Sequence, residues 1–434
     1  MGMEALIHGL PVKTYGWNFY AGWGLTEDRC HSEVQARERR LDLPRLFEAA
    51  YLQYSHYFDP DSGEPCGLGR ILDHIELQHS IAERNAGLKI TVGWVPWKRS
   101  IAGDYFRSPG TELRHANSWA QAETLAEGRQ DAKLLLWGAA ALPETALMPV
   151  IRVEDGFLRS SGLGAAFHRP LSWVSDDLGI YFDPRTPSGL EILLETGGFS
   201  ADEILASQEL MEFLRDHRLT KYNVGGRVVA WHRKLAKGRK VILIPGQVEL
   251  DASIKFGSPE IKSNLELLRA VRKAEPDAFL IFKAHPDLVA GARHGQILPA
   301  GLEDASDLAV TDGNVLDWLD LCDEVHTMTS TVGFEALIRQ VPVVTYGMPF
   351  YAAWGLTTDR LACPRRTRKL TLEELVCGAL VKYPRYLNPA TGEFTTALKV
   401  TRLLTSAAAA GDQRAWYLKT ISQLKKIWVK VARI

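Results

Sequence analysis

VILIPGQ (241–247), AFLIFKAHPD (278–287) and VPVVTYG (341–347) are the stretches that decide the fold. Each is a short apolar run ending in glycine, proline or a polar cluster, which is how a strand covered on both faces reads. Between them lie amphipathic segments over 258–273 and 314–322, a short strand ending near Met328, and a helix opening at Thr329 to Thr331. Strands alternating with helices predict a parallel α/β domain.

Upstream the same pattern occurs once more. LKITVGW (88–94), AKLLLWG (132–138), PVIRVEDG (149–156) and LGIYFD (178–183) predict buried strands, with helices over 188–195 and 201–215. A basic bridge containing glycine, VAWHRKLAKGRK (229–240), separates the two patterns. Two Rossmann-like domains with a ligand cleft between the carboxyl ends of their strands are the layout of GT-B glycosyltransferases, and equally of several epimerases and binding proteins.

An internal repeat measures the unit. Residues 3–29 align with residues 334–360 at 18 identities in 27, and after a two-residue gap the match continues through Leu41/Leu370, Tyr54/Tyr383 and Gly63/Gly392. The offset of about 330 residues leaves room for one complete copy. The expected organisation is therefore 1–75 as the closing remnant of a preceding module, 76–235 as a first α/β domain, 236–405 as a second α/β domain, and 406–434 as a basic amphipathic tail.

The composition excludes other classes. Over 434 residues, 51 Lys and Arg balance 52 Asp and Glu, so the chain has no polycationic field for nucleic acid. Five cysteines without a CxxC pair suggest neither a disulfide framework nor a zinc ribbon. The longest apolar run, 134–143, is about half of the ~20 residues a bilayer span needs. These features predict a cytoplasmic protein.

Four clusters stand at predicted strand ends. Glu154-Asp155-Gly156 offers paired acids able to serve as base, acid or nucleophile, with a glycine that permits a sharp turn. Lys283-Ala284-His285-Pro286 offers an ammonium and an imidazole for a phosphate. Thr329, Ser330 and Thr331 bring hydroxyls and free N–H groups to a helix start, with Glu335 one turn in, where it could accept from a ribose hydroxyl. Pro245-Gly246-Gln247, with Asp251 and Ser253, follows the first strand of the second domain. Asp176-Asp177 is rejected as a metal site because a further strand is expected directly after it.

VEDGFLRSSGLG (153–164), KYN (221–223), GQVELDASI (246–254), KAHPD (283–287), TSTVGFEAL (329–337) and VTYGMPFYAAWGLTTDR (344–360) together resemble the KpsC-type capsule polysaccharide proteins, retaining β-Kdo (3-deoxy-D-manno-octulosonic acid) transferases with two modules in tandem. The resemblance implies a GT-B-like fold with a truncated first module and CMP-Kdo as donor. It also implies a lipid-linked Kdo acceptor and a role in capsule assembly and export. Asp155 becomes the candidate nucleophile and Glu154 its partner. Gln247, Lys283, His285, Pro286, Thr329, Ser330, Thr331 and Glu335 become donor-binding residues, and Arg159 and Lys221 candidates for the sugar carboxylate. A single phosphate in the donor implies no metal and no further cofactor. The alternatives are an inverting transferase of the CMP-sialic-acid type and a non-catalytic scaffold of a capsule export complex. In the tail, Tyr417, Ile421, Leu424, Trp428 and Val431 form an apolar stripe flanked by Lys and Arg, which predicts a helix lying on the anionic inner membrane.

Overall fold

The computed structural model describes residues 1–29, 37, 39–143, 148–159, 169–221, 230–291 and 293–409. The tail 414–434, Tyr222, Asn223 and the SSGLG of the first motif lie outside these residues. The chain divides into two units, Met1–Ser80 and Ile81–Ile434, and the helix Leu68–Asn85 runs through the division.

The second unit contains two sheets. The six-stranded sheet is wholly parallel, in the order Leu308–Val310, Phe279–Lys283, Val241–Pro245, Glu324–Thr327, Val343–Thr345, Thr358–Asp359. Numbered along the chain this is 3-2-1-4-5-6, the Rossmann order, whose crevice opens between the first and fourth strands. Every residue of Val241–Pro245 and Phe279–Lys283 is buried, which explains their unbroken hydropathy. The helix expected over 258–273 begins only at Asn264 and runs to Ala274, because Ser263 and Glu266 form a reciprocal cap that starts it, and a separate short helix, Ala252–Gly257, precedes it.

The seven-stranded sheet is mixed. Val150–Asp155, Lys133–Trp137, Gly87–Val92 and Thr111–Ala116 are parallel, while Ser172–Asp176, Pro384–Leu387 and Phe394–Thr395 extend it antiparallel. Two expectations are corrected here. The domain boundary at 405 fails because 384–395 returns to the first sheet, pairing Pro384 with Val174 and Tyr386 with Ser172. The strand expected over 178–183 is a turn: Asp176 Oδ1 accepts from the N–H groups of Leu178 and Gly179, and Oδ2 from Gly189 N–H and the Tyr383 hydroxyl. Asp176 is thereby a structural hub. Ile180 and Tyr181 are buried as loop side chains.

The repeat is also a repeat of structure. Thr14 donates to Asp28 at 2.7 Å as Thr345 does to Asp359 at 2.7 Å, and the N–H groups of Gly22 and Ala353 reach the other oxygen of the same aspartates. The indoles of Trp23 and Trp354 donate to the carbonyls of Phe19 and Phe350. Both copies contain a π-helical segment, Glu48–Tyr54 and Cys377–Lys382. What differs is cover: Tyr15, Tyr54 and Phe58 are 79, 85 and 57% exposed, whereas their counterparts Tyr346, Tyr383 and Leu387 are 7, 7 and 3% exposed.

Candidate active site

The strand Val150–Asp155 delivers both acids to its carboxyl end. Gly156 follows because its neighbour comes too close for any side chain: a Cβ there would lie 2.3 Å from Ser172 Oγ, and Gly156 N–H donates to Ser172 O at 2.9 Å. The glycine serves close strand approach, not the sharp turn expected. Asp155 Oδ2 accepts from Arg159 Nε at 2.6 Å, while its buried Oδ1 has no hydrogen-bond partner among the described residues. Glu154 Oε1 accepts the Asp155 N–H at 3.0 Å. Glu154 keeps part of its surface open to the cavity but is surrounded by protein, and that desolvation, reinforced by the charge of Asp155, pushes its carboxyl up to about 7. Arg159, expected at the sugar carboxylate, is instead buried against Asp155, so its charge serves the acid.

The opposite wall comes from the second sheet. His285 follows the strand Phe279–Lys283 and accepts the Asp287 N–H on Nδ1 at 3.1 Å. The neutral ring then carries its proton on Nε2. Desolvation lowers the His285 pKa against the pull of Asp287 and Asp251, so at neutral pH the ring is a neutral donor. Ser330 caps the helix Thr331–Ile338, its Oγ accepting the Val332 N–H at 3.2 Å. The Tyr351 hydroxyl donates to Ser330 O, and Gly333 makes room for it, since a Cβ there would lie 2.2 Å from that oxygen.

Gln247 laces the crevice between the first and fourth strands. Its Oε1 accepts the Thr329 N–H at 3.0 Å, its Nε2 donates to Thr329 Oγ1 at 2.9 Å, and its own N–H donates to Asn264 Oδ1 at 2.9 Å. Glu335 is buried, and its Oε1 accepts the Lys221 N–H at 2.9 Å; burial raises its pKa. Both residues position the loops around them.

Two chambers result. The first, about 240 Å³, brings Glu154, Asp155, Gln247 and Asp251 together with His285 and Thr329. The second, about 350 Å³, is walled by Lys283, Pro286, Val289, Val332 and Glu335. Lys221, His285, Ser330 and Thr331 line both. Lys283, expected beside the imidazole at a phosphate, turns to the second chamber alone and donates to Thr311 O at 3.2 Å.

Sequence reading missed Trp137, Lys98 and Arg293. Trp137 and Arg293 line the first chamber, and Lys98 Nζ sits 3.2 Å from the centroid of the Trp137 ring. The signal for Lys98 was a lysine just inside the helix that follows the strand Gly87–Val92. Among the described residues one group has metal-ligand types, Glu275, Glu324 and His326, at the amino-terminal end of the sheet, and Lys240 bonds both glutamates. No described helix is long and apolar enough to cross a membrane.

Two α/β domains enclosing a cavity, with paired acids on one wall and imidazole and hydroxyl donors on the other, define a protein of GT-B-like fold. The family model for capsule polysaccharide biosynthesis protein matches residues 1–57 and 138–387. The chain belongs to that family. It is 39% identical, over 99% of its length and 62% of the relative's, to the capsule polysaccharide modification protein LipA of Neisseria meningitidis serogroup B, so it spans under two thirds of that relative. It is 38% identical to the lipopolysaccharide-processing protein LpsZ of Rhizobium meliloti, over 67% of this chain and 68% of that one. Two solved structures of Thermosulfurimonas dismutans KpsC are similar. The β-Kdo 2,7 transferase has a TM-score of 0.62 at 36% identity, over 74% of this chain and all of that one; the β-Kdo 2,4 transferase has 0.63 at 30%, over 73% and 97%.

Proposed function

We propose that the chain is a retaining β-Kdo transferase that uses CMP-Kdo. The observation that carries this reading is Asp155, a residue lining the first chamber whose carboxylate has one oxygen held by Arg159 and the other buried without a hydrogen-bond partner among the described residues. In this reading Asp155 Oδ1 attacks the anomeric carbon as the bond to the CMP phosphate oxygen breaks, and CMP leaves with the electron pair. His285 Nε2–H and the donors at Ser330 and Thr331 bind the departing phosphate. The acceptor hydroxyl, its proton taken by Glu154, then attacks the same carbon and releases Asp155. A carboxyl titrating near 7 suits that exchange. The named activities of the two KpsC structures support Kdo as the transferred sugar.

On the same reading residues 1–75 are the C-terminal remnant of a further module, the acceptor is a lipid-linked Kdo glycan, and the enzyme works at the inner-membrane surface with the capsule export machinery. The test is incubation of the full chain with CMP-Kdo and a Kdo-terminated glycoside, with the anomeric configuration of the product read by NMR. A product of α configuration, or none, would overturn the proposal.

A further inference from the structure

Lys98 is a half-buried ammonium whose seat is an aromatic ring. Among the described residues it has neither a hydrogen bond nor an ion pair; its Nζ lies over Trp137, which lines the first chamber beside Glu154 and Asp155. The ring is held firmly, packed edge-to-face against Trp94 at 5.5 Å and Trp173 at 5.3 Å. Glu154 abuts the same strand end, with Oε2 3.0 Å from where a Cβ on Gly138 would be. A cation–π contact steadies an ammonium without using its N–H groups, which keep their need for an anion.

We propose that Lys98 is the binding residue for a sugar carboxylate in this chamber, an inference that rests on the transferase reading above. The charges on this wall favour that ligand. Arg159 is committed to Asp155, and Arg152 donates to the Gly138 and Ala140 carbonyls, whereas Lys98 has no ion pair among the described residues. One ammonium matches one monoanion, while the donors suited to a phosphate, His285, Ser330 and Thr331, stand on the opposite wall. Desolvation draws the Lys98 pKa down to about 8 against the opposing pull of Glu154 and Asp155, as expected of a cation near acids but paired with neither. The carboxylate comes from the transferred sugar or from an acidic acceptor, and the experiment separates them.

Wild type, Lys98→Gln and Lys98→Arg, each as the full chain, are assayed with CMP-Kdo and with a Kdo-terminated glycoside supplied as free acid and as methyl ester. CMP affinity and ligand-detected NMR binding of free Kdo are measured in parallel. The expected result is that Lys98→Gln raises KM about tenfold or more for one acid-bearing substrate, leaves CMP affinity unchanged and is largely rescued by Lys98→Arg. A rise for the glycoside alone, erased when wild type and variant are compared on the ester, assigns the acceptor carboxylate; a rise for CMP-Kdo alone assigns the donor. Unchanged KM for both, or an equal loss with acid and ester at unchanged CMP-Kdo KM, overturns the inference. If wild type transfers no Kdo, the transferase reading fails by itself, and free Kdo decides: binding to wild type lost in Lys98→Gln supports the site, and binding unchanged or absent overturns it. If Lys98→Gln does not fold, wild type on acid against ester, together with the CMP-Kdo KM of Lys98→Arg, decides: equal KM for acid and ester with an unchanged donor KM overturns it.

Discussion

Arg159 Nε lies 2.6 Å from Asp155 Oδ2, and the other oxygen of that carboxylate is left without a partner among the described residues. On the proposed mechanism the first oxygen is oriented and the second is the nucleophile. Asp155→Ala should therefore lower kcat on the order of 10³-fold or more while CMP affinity stays within about twofold, because the proposed nucleotide contacts are on the other wall. A variant keeping more than a few per cent of activity would remove Asp155 from the nucleophile's role.

His285→Ala should weaken CMP binding and turnover together, by about 1.5–3 kcal/mol, the range for one charge-assisted hydrogen bond. Calorimetric titration with CMP gives the first number and steady-state kinetics the second. An unchanged affinity would place the phosphate elsewhere.

Glu154 binds a proton in the folded protein up to about pH 7, whereas in the unfolded chain it has released that proton already above the ordinary carboxylate range. Stability therefore falls as pH rises through that window. Urea denaturation should show Glu154→Gln more stable than wild type at pH 8, with the gap closing at pH 5, and transfer should be impaired. A gap that widened toward acid pH would contradict the assignment of burial as the cause.

Gly333 and Tyr351 share a space that holds only one side chain. Gly333→Ala should destabilise by about 1–3 kcal/mol, the usual cost of overpacking. The double variant with Tyr351→Phe should recover part of it in thermal melts, since the hydroxyl is the nearest atom to the new methyl. Additive losses would mean the clash is relieved by movement of the helix instead.

The parallel sheet is legible in the sequence because each of its long strands is a closed apolar run, and the acids at 154 and 155 are legible because they end such a run. Ser172–Asp176 is not: SWVSD is polar at three of five positions yet wholly buried, its Ser172 hydroxyl satisfied by Leu158 O and its Asp176 by backbone N–H groups and Tyr383. Edge strands such as Thr111–Ala116 read weakly because water covers part of them. The return of Pro384–Leu387 to the first sheet, and the bond between Asp176 and Tyr383 across 207 positions, have no local signal at all. Nor has the meeting of Lys98 with the acids, since it depends on where a helix lies after the strand ends.

The duplicated segment gives the molecule its own control experiment. The local hydrogen bonds around Asp28 and Asp359 are the same, while the covering of Tyr54 and Tyr383, or of Phe58 and Leu387, is opposite. Amide exchange compared between 13–28 and 344–359 thus isolates the protection that comes from tertiary cover alone, with sequence and local bonding held nearly constant. The later copy should exchange more slowly by several orders of magnitude. The ratio of the two rates, read in one sample at one pH, measures how much a surrounding domain adds to a motif that already has its local bonds in place.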